Sequence, residues 1–119
     1  MKTIGVVGSR RRDTEQDFQL VKAAIIKLLE PGDRLVSGGC PKGGDRFAEI
    51  VAKQLGLCIS IHYPDWNGRG RMAGLERNTH IANESDVLVA CVAHDRKGGT
   101  EDTIRKFLIN HSESDLVLL

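Results

Sequence analysis

The N-terminal stretch Met1-Lys2-Thr3-Ile4-Gly5-Val6-Val7-Gly8-Ser9-Arg10 decides the fold. Residues 3–7 are a continuous apolar run of strand length, and an unbroken rather than alternating run marks a strand covered on both faces, as in a parallel sheet. The run stops at Gly8-Ser9-Arg10, after which the period becomes helical. Thr14-Glu15-Gln16-Asp17 reads as a capping box with Asp in place of Glu, and Phe18, Val21, Ile25 and Leu28 follow at helical spacing until Pro31-Gly32. Strand, glycine-bearing loop and helix in that order open a βαβ unit.

Outward from this unit the pattern repeats. Residues 34–37 make a short second strand running into Gly38-Gly39-Cys40-Pro41-Lys42-Gly43-Gly44-Asp45, and a helix follows with Phe47, Ile50, Val51 and Leu55 on one face until Gly56. Residues 57–62 form a third strand. Tyr63-Pro64-Asp65-Trp66-Asn67-Gly68 makes a long turn into a helix whose stripe is Leu75, Asn78, Ile81 and Ala82. Residues 87–93 are a fourth strand and 94–99 a polar loop. Thr100 is the expected cap of a last helix with Ile104, Phe107 and Leu108 on its apolar side, and residues 115–119 close the chain as a fifth strand. Five strands separated by four helices, with no linker or repeat, predict one α/β domain over 1–119. Its expected form is a Rossmann-like three-layer α/β/α sandwich with a five-stranded parallel sheet of order 3-2-1-4-5.

Composition narrows the function. Lys and Arg number 17 against 16 Asp and Glu, a net charge of +1, so no global field draws the chain to nucleic acid or to an acidic membrane. Cys40, Cys58 and Cys91 are an odd set without C-x-x-C spacing, two of them inside apolar runs; reduced thiols in a reducing compartment are expected, and no zinc site. The histidines at 62, 80, 94 and 111 lack metal-ligand spacing. The first apolar run is too short for a signal segment, and no stretch approaches the roughly 18 apolar residues of a membrane span, so a soluble, cytoplasmic protein is expected.

Thirteen glycines against five aromatic residues is the lopsided feature, because glycine weakens element interiors and belongs in loops. In an open α/β sheet ligands bind beyond the carboxyl ends of the strands where strand order reverses, here between strands one and four. Gly8, Ser9 and Arg10 lie at one of those ends, Gly98, Gly99 and Thr100 just past the other, and Gly38, Gly39 and Gly43 beside them. Backbone amides of glycine loops that open helices bind oxyanions, which makes a phosphate the expected guest. The chain carries neither a Walker A ending nor G-x-G-x-x-G, which removes the P-loop ATPase and dehydrogenase readings. Arg10 is the expected phosphate grip, with Arg11 and Arg12 as solvated turn residues. Asp45 is read as a helix cap, a ligand contact or both. Asn78, polar on a buried stripe, needs a partner in a loop or in the ligand.

Together Gly8-Ser9-Arg10, Gly38-Gly39-x-x-x-Gly43-Gly44-Asp45-Arg46-x-Ala48-Glu49, Arg77-Asn78-x-x-Ile81 and Gly98-Gly99-Thr100 give a pattern, over nearly the whole chain, that resembles the SLOG superfamily of DprA/Smf and LOG-type proteins, and most its small YspA-like branch. The resemblance implies a nucleotide-binding Rossmann-like fold with no cofactor beyond a nucleotide-like small molecule, and favours a homodimer. LOG-type enzymes cleave the N-glycosidic bond of nucleotides with an Arg, which maps to Arg77, and a Glu, whose position is Thr103 here. Glu101 and Asp102 are then the substitute carboxylates in a catalytic set with Arg77. Three expectations follow: a nucleotide-binding sensor or signalling module, for which the missing Glu speaks; a nucleotide N-glycosidase (phosphoribohydrolase); and a DprA-like DNA-processing protein, against which the neutral charge and scarce aromatics stand.

Overall fold

The computed structural model describes residues 1–119, the side chain of Arg71 excepted. Its sheet is all parallel in the order β3-β2-β1-β4-β5, with β1 Thr3–Gly8, β2 Arg34–Ser37, β3 Ile59–Ile61, β4 Val87–Cys91 and β5 Leu116–Leu118. The helices are α1 Glu15–Leu28, α2 Gly44–Leu55, the single-turn α3 Trp66–Arg69, α4 Ala73–Glu84 and α5 Gly99–Phe107. The five-stranded order and the α/β class agree with the sequence reading.

The unbroken apolar runs are explained by two cores, one on each side of the sheet. Ile4, Val6, Leu35, Val89 and Cys91 pack with Phe18, Val21, Ile25, Phe47 and Val51 of α1 and α2. Their strand neighbours Val7, Val36, Leu88 and Ala90 pack instead with Ile81, Ala82, Ile104 and Phe107 of α4 and α5. Successive strand side chains leave opposite faces, so a strand between two helical layers must be apolar at every position. Phe18 and Phe47 meet edge to face at 5.5 Å between α1 and α2.

Local signals act as expected at α1, where the Thr14 hydroxyl accepts from the Asp17 amide and the Asp17 carboxylate accepts from the Thr14 amide. Three expectations are corrected. Thr100 does not cap α5: the helix starts at Gly99, two residues earlier than a cap at Thr100 would place it, and Gly98 holds the cap position at φ +116°, a conformation closed to threonine. Leu55 and Leu75 are 39% and 42% exposed, each in a terminal turn of its helix, while the rest of the stripes, with Phe47 and Val51 in α2 and Asn78, Ile81 and Ala82 in α4, is buried. Cys58 precedes β3 and is exposed.

Two backbones touch at the centre of the fold. A Cβ on Gly44 would lie 2.5 Å from the carbonyl carbon of Val7, and one on Gly8 would lie 2.9 Å from the Gly44 backbone. Gly43, at φ +75°, faces the Ser9 carbonyl in the same way. The first turn of α2 therefore sits directly on the end of β1. At the other end of β1, Asp33 accepts from the Lys2 and Glu30 amides and pairs with the Lys2 ammonium. Those hydrogen bonds, that of the Lys2 side chain foremost, hold the Asp33 carboxyl at about 2 against its ordinary 3.8.

Gly44→Ala is expected to destabilise the protein by about 1–3 kcal/mol through overpacking. Gly74→Ala, in α4 with only ordinary contact to the Trp66 ring at 3.4 Å, is expected to stabilise it by about 0.5–1 kcal/mol through helix propensity. Urea unfolding of both variants checks the pair, and effects of the same sign would contradict the close approach. The depressed Asp33 pKa adds stability above the unfolded value that is lost as pH falls from about 4 to about 2. Asp33→Asn should therefore be less stable than wild type at pH 7, with the gap closing over that range in thermal melts.

Candidate functional site

A crevice of about 410 Å³ opens at the carboxyl edge of the sheet where β1 and β4 send their chains to opposite layers. Its walls come from the β1 loop, the loop after β2, one face of α4, and the start of α5. Each wall is fastened by a partner distant in sequence.

The β1 loop carries three consecutive arginines with three different fates. The Ser9 amide extends the ladder to the Cys91 carbonyl at 2.9 Å, and the Ser9 hydroxyl accepts from the Arg11 amide at 3.1 Å, turning the chain. Arg10 lines the crevice, is exposed, and has no hydrogen-bond or ion-pair partner among the described residues. Arg11 also lines it, with its two terminal nitrogens on the Asp95 carboxylate at 2.9 and 2.6 Å. Arg12 donates to the Val92 carbonyl at 3.1 Å and the Leu119 carbonyl at 2.6 Å and pairs with Asp17. Arg11 is an exposed turn residue, as expected, although it carries an ion pair; Arg12 is half-buried and fastened on three sides, which corrects its expected role as a solvated turn residue.

The β2 loop is held by two carboxylates. Asp45 receives the Ser37 hydroxyl at 2.9 Å on one oxygen and the Cys40 amide at 3.0 Å on the other. It is thus a pin for the strand-to-helix turn, as a residue of a first helical turn commonly is. Asp13 accepts from the Gly43 amide at 2.7 Å and from Arg46 at 2.9 Å; the Gly43 amide, and then the guanidinium, hold its carboxyl below the usual carboxylate range. Gly38, Gly39 and Gly43 do not line the crevice but let other groups approach: Arg77 at Gly38, the Tyr63 ring at Gly39 and the Ser9 carbonyl at Gly43.

Beneath the crevice runs a chain of hydrogen bonds from one layer edge to the other. Arg77 donates through Nη1 to the Gly38 carbonyl and through Nε to the Asn78 side-chain oxygen at 2.9 Å. The Asn78 amide donates to the Gly99 carbonyl at 3.3 Å and to Asp102 at 3.2 Å. Burial pushes the Asp102 carboxyl up, while Lys106, Asn78 and Arg105 pull it further down, leaving it below its ordinary value. Asn78 thus finds its partners in the protein.

Comparisons with known proteins add nothing at this point. No family model, curated protein or solved structure matches the chain.

At the α5 end, Gly98, Gly99 and Thr100 line the crevice, and the amides of Gly99 and Thr100 have no acceptor among the described residues. Lys97 stands beside them without an ion-pair partner among the described residues, and the buried Thr103 hydroxyl completes that wall. Glu101 and Asp102 start the same helix but do not line the crevice: Glu101 is paired with Arg96 at 2.9 Å and Asp102 with Lys106 at 2.9 Å. The structure thus brings together Gly8, Ser9, Arg10, Asp45, Arg77, Asn78, Gly98, Gly99 and Thr100, and sets Gly38, Gly39, Gly43, Glu101 and Asp102 behind them. Cys40, Arg11 and Lys97 are lining residues that the sequence reading had not chosen; for Lys97 the signal was its place directly before Gly98-Gly99.

Asp45 is the one carboxylate among the described lining residues, and both its oxygens are occupied. The remaining charged groups on the walls, Arg10, Arg11, Arg77 and Lys97, are cations, which makes the local potential of the crevice positive. Arg77→Met leaves the Gly38 carbonyl and the Asn78 oxygen without their donor. It is expected to cost about 1–3 kcal/mol and to speed hydrogen exchange at the Cys40 amide more than in the body of α1; unchanged exchange at Cys40 would show that the chain of hydrogen bonds does not hold the β2 loop.

Proposed function

We propose that this protein binds a nucleotide or a nucleotide-derived phosphate ligand in the crevice between β1 and β4, as a sensor or signalling module. The observation that carries the reading is the pairing of Arg10, a guanidinium unengaged among the described residues, with the open first turn of α5, where the Gly99 and Thr100 amides lack acceptors among those residues. Free amides at a helix start and a planar cation in one cleft are what a phosphate group needs, charge and directed donors together. Lys97 adds a second uncommitted cation. A crevice of about 410 Å³ is within the usual range for small-molecule sites, roughly 300–1,000 Å³, and leaves space for a sugar and a base.

The resemblance to the SLOG superfamily supports the same reading, and within it binding is favoured over glycosidic cleavage. Cleavage needs a carboxylate near the developing oxocarbenium ion. Glu101 and Asp102 are engaged with cations outside the crevice, Asp45 is engaged within it, and Thr103 supplies only a hydroxyl. No helix among the described residues is long and apolar enough to cross a membrane, and the three free cysteines fit the reducing cytoplasm in which we place the protein.

Thermal-shift measurements against nucleoside mono-, di- and triphosphates, ADP-ribose, NAD and ribose 5-phosphate test this. A ligand at about 100 times its dissociation constant is expected to stabilise by about 2.7 kcal/mol, a rise of roughly 10 °C for a domain of this size. Arg10→Ala is expected to weaken the best ligand by about tenfold or more. A flat response to every compound would overturn the proposal, and a shift indifferent to Arg10→Ala would move the site elsewhere.

A further inference from the structure

One cation of the crevice is already spoken for. Arg11 lines the cleft, yet its two terminal nitrogens are bound side by side to the oxygens of Asp95, and Nη2 also reaches the Lys97 carbonyl at 3.3 Å. Asp95 belongs to the loop after β4, so this contact ties the β1 loop to the β4 loop across the cleft. The same loop is fastened behind by Arg96, which adopts φ +56° and grips Glu101 with two nitrogens at 2.9 Å.

Asp95 holds the end-on pair of Arg11, Nη1 and Nη2, and the Lys97 carbonyl takes the other hydrogen of Nη2, so no adjacent pair of Arg11 donors is left for the two parallel bonds that a phosphate takes from a guanidinium. The Arg11–Asp95 pair stands in solvent, with 59% and 45% of the two side chains exposed, where ion pairs add little net stability. A phosphate in the crevice would carry more charge than the carboxylate it displaces, and would meet Arg10, Lys97 and the α5 amides in the same place.

Resting on the nucleotide-site reading, we infer that Asp95 is a built-in competitor for the ligand: it occupies Arg11 in the empty site, surrenders it to a sufficiently charged anion, and so sets how much negative charge the crevice requires. Arg10 and Lys97 are open to any anion. Arg11 becomes available only to one able to draw it from Asp95, which penalises weakly charged ligands relative to those bearing a diphosphate. The exchange also unfastens the β4 loop from the β1 loop while Arg96 and Glu101 keep its far end in place.

The test is a double-mutant cycle of Asp95→Asn and Arg11→Gln, titrating phosphate, pyrophosphate and ADP by calorimetry at about 0.15 M salt, where exposed charges more than about 8 Å apart are largely screened. Asparagine keeps an oxygen for the Lys97 amide, which now donates to Asp95 at 3.1 Å, so the loop keeps its turn. D95N is expected to tighten pyrophosphate and ADP at least fivefold and phosphate by less. In the R11Q background the same change is expected to shift either affinity by less than twofold. If the wild type binds these anions and D95N binds them no more tightly, or if the gain persists undiminished in R11Q, the competition is overturned while the site reading stands. If no variant binds any of the three, both fall together.

Discussion

The peptide joining Val7 to Gly8 and the backbone of Gly44 lie against one another with no side chain between them, and most of the site depends on that contact. It puts the start of α2 at the end of β1 and so brings the loop after β2 to the edge of the crevice. Glycine at both surfaces is the physical condition, since either Cβ would meet backbone within 3 Å. Asp13 then seals the junction by binding the Gly43 amide and Arg46 together.

Around that fixed corner the other walls are positioned by polar groups that satisfy one another. Asp45 uses both oxygens on the turn it belongs to; Arg77 and Asn78 carry hydrogen bonds from the Gly38 carbonyl to the first turn of α5. Each of these groups is buried or nearly so, where an unmet hydrogen bond is costly, and their completion inside the protein makes the wall rigid without a ligand. Among the described residues at the mouth, Arg10 and Lys97 and the amides of Gly99 and Thr100 are left without partners. The division between closed framework and open donors is the main support for the proposal that the crevice binds an anion.

The fold was legible because its signals are local. Continuous apolar runs marked buried parallel strands, the capping box at Thr14 marked a helix start, and the glycine loops marked the switch point. Errors came where two local preferences compete. Threonine is the better capping residue by side chain, but the turn into α5 demands positive φ, and Gly98 answers it. The helical stripes lose Leu55 and Leu75 because these lie in the terminal turns of α2 and α4, while the middle of each stripe is buried as its period indicates. In the site, the glycine positions could be read and the polar fastenings could not: Asp13 and Gly43 are 30 residues apart, Arg11 and Asp95 are 84, and no periodicity encodes such a pairing.

The run Arg10-Arg11-Arg12 shows what that lack of local signal means for the gene. Three adjacent codons specify one side chain, yet one copy faces the cleft, the next is shared between two loops, and the third, backed by the Asp17 carboxylate, ties the carbonyls of Val92 and Leu119 to the β1 loop. The repetition offers no redundancy. A one-residue insertion or deletion within the run would leave its charge and composition almost unaltered while reassigning every role, so drift in this segment is constrained in register rather than in chemistry.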